Sequence, residues 1–484
     1  MTRTHTTQLL LLLTIVGSSD RSLADGPFQA TGFKVGEVTE SSAIVWTRLT
    51  LRKDRNSSDA PRVEIIYDQT AGVNGRDRSV QSVVFPDGLT VGDIFEAAPG
   101  TDGDVRVAYR VQGSRDWTYT DWKAVDGLRD FTAQYLLTNL KSNTRYDVNV
   151  ESRSIAGTIG QSRDGTFRTA PAQKSSDRVV FTVSTGQGND DQDRPDGFNI
   201  YPEMLKLDPH FFVHTGDIVY YDRLAKTLAL ARYHWQRMYS WPTNVQFHRQ
   251  VSSYFIKDDH DTLVDDCWPT MQTPYMHEFT FRQGLQVFRE QVPMGRYTWR
   301  TRRWGRHLQI WMVEGRDFRS SNRDPDGPGK TIWGQAQKDW FKTSVAESDA
   351  TFRVLISPTP IVGPDRDTKR DNHSNKVFQT EGDELRAFIA TQKNLVVVCG
   401  DRHWQYMSIH PGTGVREYSC GPASDRHANG WNQSDYRKDY HRYLNVIGGF
   451  LSATVESGVA DTTLTFRYHD VHGKVNFEDT LSAE

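Results

Sequence analysis

Phe211-Phe212-Val213-His214-Thr215-Gly216-Asp217-Ile218-Val219-Tyr220 is an apolar run broken by a glycine, and the break leaves a carboxylate at its end. An apolar run without alternation reads as a buried strand of the kind found in parallel sheets. Two further segments share the design: Tyr254-Phe255-Ile256-Lys257-Asp258-Asp259-His260-Asp261 and Asn394-Leu395-Val396-Val397-Val398-Cys399-Gly400-Asp401-Arg402-His403. Each is a hydrophobic strand ending in Asp or His. Hard and borderline cations need carboxylate and imidazole ligands from several chain segments, and strands fixed in a core deliver them at their ends. The only cysteines, Cys267, Cys399 and Cys420, have no paired spacing. That excludes a CxxC zinc ribbon and favours calcium, magnesium, manganese or iron at an oxygen-rich site.

Outward from these strands, the pattern from Val179 onward alternates strands with helix-like stretches, among them Leu224 to Met238 and Gly334 to Ala346. This is an α/β pattern. Upstream, residues 30–170 alternate apolar and polar positions in short runs, separated by turn signals such as Pro86-Asp87-Gly88 and Gly100-Thr101-Asp102-Gly103. They read as a β-sandwich. Leu140-Lys141-Ser142-Asn143-Thr144-Arg145-Tyr146, then Val148 and Val150, resembles the tyrosine-bearing corner of a fibronectin-type or immunoglobulin-like module. Thr169-Ala170-Pro171-Ala172 and the polar stretch to Asp177 read as a linker. The expected division is a β-sandwich over 25–172 and an α/β domain over 178–484.

Arg3, the apolar run Leu9 to Gly17 and the small residues of Ser22-Leu23-Ala24 read as a secretory signal over residues 1–24, cleaved near Ala24. The expected location is secreted or periplasmic. The run is too short to span a membrane. With 484 residues, 37% of them hydrophobic, the chain can bury a sizeable core. Its formal charge of -3 gives no global bias towards nucleic acid. The stretch Arg296-Tyr297-Thr298-Trp299-Arg300-Thr301-Arg302-Arg303-Trp304-Gly305-Arg306 reads as a hairpin with a solvated cationic face rather than a polyanion site. Three cysteines allow at most one internal disulfide, for which Cys267 to Cys420 is the candidate.

Five motifs in order carry a family resemblance: Gly216-Asp217-x-x-Tyr220, Asp258-Asp259-His260-Asp261, Gly315-Arg316-Asp317-Phe318-Arg319, Gln337-x-x-Trp340-Phe341 and Gly400-Asp401-x-His403. With the opening Gly36-Glu37-Val38 and Ile44-Val45-Trp46-Thr47-Arg48, they resemble the PhoD-type alkaline phosphatases of the metallophosphoesterase superfamily. The resemblance implies an α/β (α+β) metallophosphatase domain of two sheets flanked by helices, preceded by the β-sandwich. It also implies phosphate-ester hydrolysis at a site holding iron together with calcium, with manganese or magnesium as alternatives.

By the same resemblance, Asp217 is the carboxylate that bridges metals, Tyr220 the phenolate ligand to iron, and Asp259 with His260 the pair that binds the second metal and steadies the leaving group. Asp401 and His403 fall where the superfamily has a histidine-x-histidine ending. Asp365 is a further candidate carboxylate, in competition with Asp371 and His373. Asp265 stands where the family usually supplies an Asn ligand. Where the family commonly has Ser-Cys-Gln with an iron-binding cysteine, this chain reads Ser184-Thr185-Gly186-Gln187; Asn189, Asp190 or Asp191 are candidate substitutes. Arg402 is a candidate phosphate contact or a surface ion pair. The expected activity is metal-activated hydrolysis of phosphate esters. The alternatives are a phosphodiesterase on teichoic-acid-like polymers or phospholipid headgroups, and a noncatalytic surface-binding protein with a degenerate metal site.

Overall fold

The computed structural model describes residues 26–67, 80–458 and 461–483. The expected signal over 1–24 lies outside them. Two large sheets face one another. The first has nine strands in the order Val475–Ser482, Thr462–His469, Phe450–Ser457, Val179–Ser184, Phe211–His214, Ser252–Phe255, Phe33–Gly36, Ala43–Arg48 and Thr132–Leu137. Val179–Ser184, Phe211–His214, Ser252–Phe255 and Phe33–Gly36 run parallel. The second has seven strands, with Leu308–Met312, Phe352–Ser357, Leu395–Cys399 and Arg416–Cys420 as its parallel centre.

Alternation along the strands sorts side chains between layers. Phe181, Phe211, Val213 and Tyr254 join Ile310, Val354, Val396 and Val398 in the core between the sheets. Phe212 and Phe255 face the other way and pack with Trp235 and Met238 of helix Leu228–Tyr239 and Phe288 of helix Phe281–Gln291. Leu355 and Val397 do the same against Phe341 and Val345 of helix Gln335–Ala346 and Leu385 of helix Gln379–Ala390. The result is the expected two-sheet α/β architecture, helices outside and sheets within.

Strands Ile159–Arg168, Arg145–Arg153 and Asp104–Val111 with two short strands form a separate five-stranded sheet. Val105, Val107, Val148 and Val150 of this sheet pack on Val35, Val45, Ala133 and Tyr135. The second layer of this β-sandwich is therefore the end of the nine-stranded sheet. The tyrosine corner is present: the Tyr146 hydroxyl accepts a hydrogen bond from the Lys141 amide at 2.7 Å.

Three local expectations are corrected. The helix expected from Leu224 begins at Leu228, because Tyr221–Arg223 form a 3-10 turn and the Thr227 hydroxyl caps the helix by accepting from the Leu230 amide. The basic stretch is a hairpin, Arg300–Trp304 with Leu308–Met312, but its face is not simply solvated: Arg300 is buried and ion-paired to Glu37 at 2.7 Å. No disulfide joins Cys267 to Cys420, since all three cysteines are buried and free.

Candidate metal centre

The centre forms where parallel strands of both sheets end. Strand Phe211–His214 runs into Gly216-Asp217, and strand Leu395–Cys399 into Gly400-Asp401. Both aspartates take left-handed backbone, at φ 54° and 61°, a conformation that Asp tolerates better than most residues. The preceding glycines are sterically required. A Cβ at Gly216 would stand 2.6 Å from the Asp258 Cβ, and one at Gly400 2.5 Å from the Thr215 hydroxyl oxygen. The two turns thus close on the Asp258-Asp259-His260 segment and on each other.

Asp217 is buried, and its Oδ1 has no protein partner. Its Oδ2 accepts from the Tyr220 hydroxyl at 3.3 Å and lies 3.4 Å from His403 Nε2. Asp217, Asp259 and His260 each offer a ligand atom within 4.8 Å of one another, and Asp259, Asp265 and Asp266 form a second such group. Asp259 is held by the His260 amide at 3.1 Å and the Asp266 amide at 2.6 Å. Behind it, the buried Arg316 guanidinium pairs with Asp258 at 2.5 Å and lies 3.6 Å from Asp259. His260 Nδ1 is ion-paired with Asp222 at 3.0 Å, and its Nε2 lies 3.7 Å from the exposed Asp265.

Electrostatics follow from this packing. Burial drives the Asp217 carboxyl well above the ordinary range, reinforced by the charges of Asp259, Asp258 and Asp261 and only partly relieved by His260. Burial opposes charge on His260 too, but Asp222, Asp259 and Asp217 outweigh it and hold the imidazole well above its ordinary value. Burial, then His427 and His260, depress His403 far below 6.5, leaving it a neutral donor. Buried carboxylates crowded with an unpartnered oxygen and a neutral imidazole are costly unless a cation joins them. This donor set of oxygen and nitrogen fits a metal cofactor.

The remaining expected residues fall elsewhere. Asp365 does not join Asp217; it pairs with Arg402 at 3.0 Å and accepts from the Asn372 amide group at 2.8 Å. Arg402 is fully buried, contacts Asp371 at 3.2 Å and lies against the Asp401 carboxylate, so its guanidinium points into an internal ionic network. Asp371 belongs to that network, and His373 pairs with Glu381 at 2.9 Å. Lys369 links the network to the centre, 2.8 Å from Asp266 and 3.3 Å from Asp371. Of the three candidates for the missing first ligand, Asn189 turns to Glu96 and Trp241, and Asp190 to Arg237. Asp191 reaches the centre indirectly, 2.6 Å from His427 Nδ1.

His427 was not singled out in the sequence, yet its Nε2 lies 2.5 Å from the Tyr220 hydroxyl. It sits in the 3-10 turn Asp425–His427, capped by Ser424, whose side chain also donates to the Asp191 carbonyl at 2.6 Å. No apolar strand announces it; the only signal is a His after a Ser cap.

Facing sheets between helices, with Asp, His and Tyr donors gathered at the ends of parallel strands, define a metallophosphatase. The chain belongs to the PhoD-like phosphatase family, whose sequence pattern matches residues 181–446, and it is thus a metal-dependent phosphoester hydrolase. Among solved structures, one described as the structure of PhoD is similar at TM-score 0.71, with 14% identity over 95% of this chain and 91% of that one. Purple acid phosphatase PPD1 from yellow lupin (Lupinus luteus) seeds is similar at TM-score 0.62, with 11% identity over 93% and 74% of the two chains. At these identities the likeness is one of fold. No curated protein matches the sequence.

Proposed function

We propose that the protein is an exported phosphatase of the alkaline phosphatase D type, using calcium and iron, with manganese or magnesium as substitutes. The observation that carries this reading is Asp217: buried, with one oxygen unpartnered and the other near Tyr220 and His403, and with ligand atoms of Asp259 and His260 within 4.8 Å. Asp217 would bridge two ions, Tyr220 and His403 holding one and Asp259 with Asp265 the other. Bound ions there supply charge neutralisation for the phosphoryl oxygens and lower the pKa of an attacking water.

The chain's own residues supply the rest. Asp222 on Nδ1 of His260 fixes the ring so that Nε2 carries the proton towards the leaving oxygen. Arg316 holds Asp258 and Asp259 in place and counters the burial that opposes their charge. Export is supported by the Leu9 to Gly17 run with Ser22-Leu23-Ala24 after it, and no helix among the described residues is long and apolar enough to cross a membrane. N-terminal sequencing of protein recovered outside the cytoplasm tests it, an intact Met1 being the adverse result.

One observation favours phosphodiester polymers as substrates. A cleft of about 550 Å³ lined by Asp365, Arg366, Lys369, Arg370, Lys376 and Arg437 adjoins the centre through Lys369. Such cationic walls suit a chain carrying further phosphates. The deciding experiment is hydrolysis of paired chromogenic mono- and diesters by the purified protein, with chelator and then with calcium or iron restored. Chelator-sensitive turnover is expected, and the rate ratio chooses between the substrate classes. Turnover unchanged in Asp217→Asn would sink the site assignment, and none with any metal would favour the surface-binding reading.

A further inference from the structure

The Tyr220 hydroxyl is surrounded by more acceptors than it can serve. Asp217 Oδ2 lies at 3.3 Å, His403 Nε2 at 3.3 Å and His427 Nε2 at 2.5 Å. The tautomer of His427 follows from its other nitrogen, since a carboxylate 2.6 Å from Nδ1, that of Asp191, demands the proton there. With Nδ1 donating to Asp191, Nε2 is the nitrogen that faces the hydroxyl as its acceptor. One phenolic proton cannot serve two imidazole nitrogens and a carboxylate at once, and Asp217 has a second oxygen with no protein partner.

A cation resolves this count. Bonds of about 2.0–2.2 Å to nitrogen and oxygen ligands place those ligands about 2.9–3.5 Å apart in octahedral or tetrahedral arrangements. Of the six separations among the four donors, Tyr220 to Asp217, Tyr220 to His403 and His403 to Asp217 fall in that range, at 3.3, 3.3 and 3.4 Å, whereas Tyr220 to His427, at 2.5 Å, is a hydrogen-bond distance that an ion between them would lengthen. The His403 and His427 rings, with centroids 4.3 Å apart, flank the same point. The floor of this point is Gly186, at φ 52°, where an added Cβ would stand 3.1 Å from the His403 ring and 3.2 Å from the His427 ring. No side chain projects from the 186 position, and the two imidazoles fill the space above it.

We propose that His427 is a metal ligand, completing with His403, Tyr220 and Asp217 a sulfur-free site of two nitrogens and two oxygens, and that Asp191 is its positioning residue. The assignment rests on reading the cluster as a metal centre. Hydrogen bonding of a ligating imidazole to a carboxylate fixes the ring and raises its basicity, and that is the place Asp191 occupies. The set carries two anionic donors, Asp217 and the Tyr220 phenolate, and suits a ferric ion with a phenolate charge-transfer absorption.

The test uses metal-free full-length protein reconstituted with ferrous iron in air, read by iron per chain, visible absorption and X-ray absorption, with turnover recorded separately. The expected wild type has a phenolate absorption band and only nitrogen and oxygen neighbours at the iron. His427→Ala loses that ion and the band. His427→Cys regains an ion with a sulfur neighbour near 2.3 Å, the usual metal–thiolate length. Asp191→Asn keeps the band at saturating iron with affinity lowered by about 10–100-fold. Should His427→Ala fail to fold by circular dichroism, the Asp191→Asn titration decides. Unchanged iron content and affinity in His427→Ala, unchanged affinity in Asp191→Asn, or a sulfur neighbour in the wild type would overturn the proposal. A wild type that binds iron in this way without turnover would overturn the phosphatase reading alone.

Discussion

His260 and His210 show opposite uses of an imidazole. His260 sits among three carboxylates, Asp222, Asp259 and Asp217, which hold its proton. Its loss should matter most when the leaving oxygen is a poor one. In His260→Ala, kcat/KM is expected to fall by about 10²–10⁴-fold on alkyl esters and by much less on nitrophenyl esters. A uniform loss across leaving groups would remove its assigned part. His210 is instead buried beside Arg168, and both push its pKa down to about 4. In the unfolded chain it titrates near 6.5. The unfolded state therefore binds the proton first, so the stability from this neutral ring is complete above pH 6.5 and declines as pH falls towards 4. Between pH 7 and pH 5 the loss is about 2 kcal/mol. Denaturant melts of wild type and His210→Gln should show a steeper pH slope in the wild type over that window; parallel slopes would refute it. At this scale Asp217, Asp259, His260 and His403 were legible because each stands at or just after the end of an apolar run. His427 was not, and Asp191 stood only as one of three candidates for the missing first ligand, for the two meet through a turn and a short loop that carry no periodic pattern.

Among elements, the Gly-Asp turns were readable as punctuation, but what they turn towards was not. Asp401 and Arg402 follow one strand end, and Asp365 and Asp371 come from the next loop; only tertiary packing makes them one ionic network. Arg402 reads from sequence as a phosphate contact or surface pair, whereas it is a buried cation between carboxylates. Arg402→Met should leave Asp365 and Asp371 short of a partner and lower unfolding free energy by about 3–5 kcal/mol, measured as the urea midpoint. A change under about 1 kcal/mol would mean that the network is solvated. The hairpin at Arg300 teaches the same lesson: alternation located its strands, but the ion pair to Glu37, from a distant segment, was invisible in it.

At the level of the molecule, the layer order was legible because the two periodicities change sharply near Val179. The continuity of the nine-stranded sheet was not, because strand pairing between distant segments leaves no local mark. Strand Ser252–Phe255 pairs on one side with Phe211–His214 and on the other, in parallel, with Phe33–Gly36. A fragment spanning 178–484 would expose that second edge and the apolar face packed under it. It is expected to elute as aggregate in size-exclusion chromatography where the longer chain is monodisperse. A soluble fragment with native melting would show that the edge tolerates water.

That pairing of Gly36 with Ser253 also sets an order of events during synthesis. Strand Phe33–Gly36 has its antiparallel neighbour Ala43–Arg48 at once, but its other edge stays open until some two hundred more residues have been made. At about 5–20 residues per second, that interval lasts about 10–40 seconds. During it the nascent chain carries a half-built sheet, so a helper that shields strand edges should raise its yield more than one that accelerates later steps.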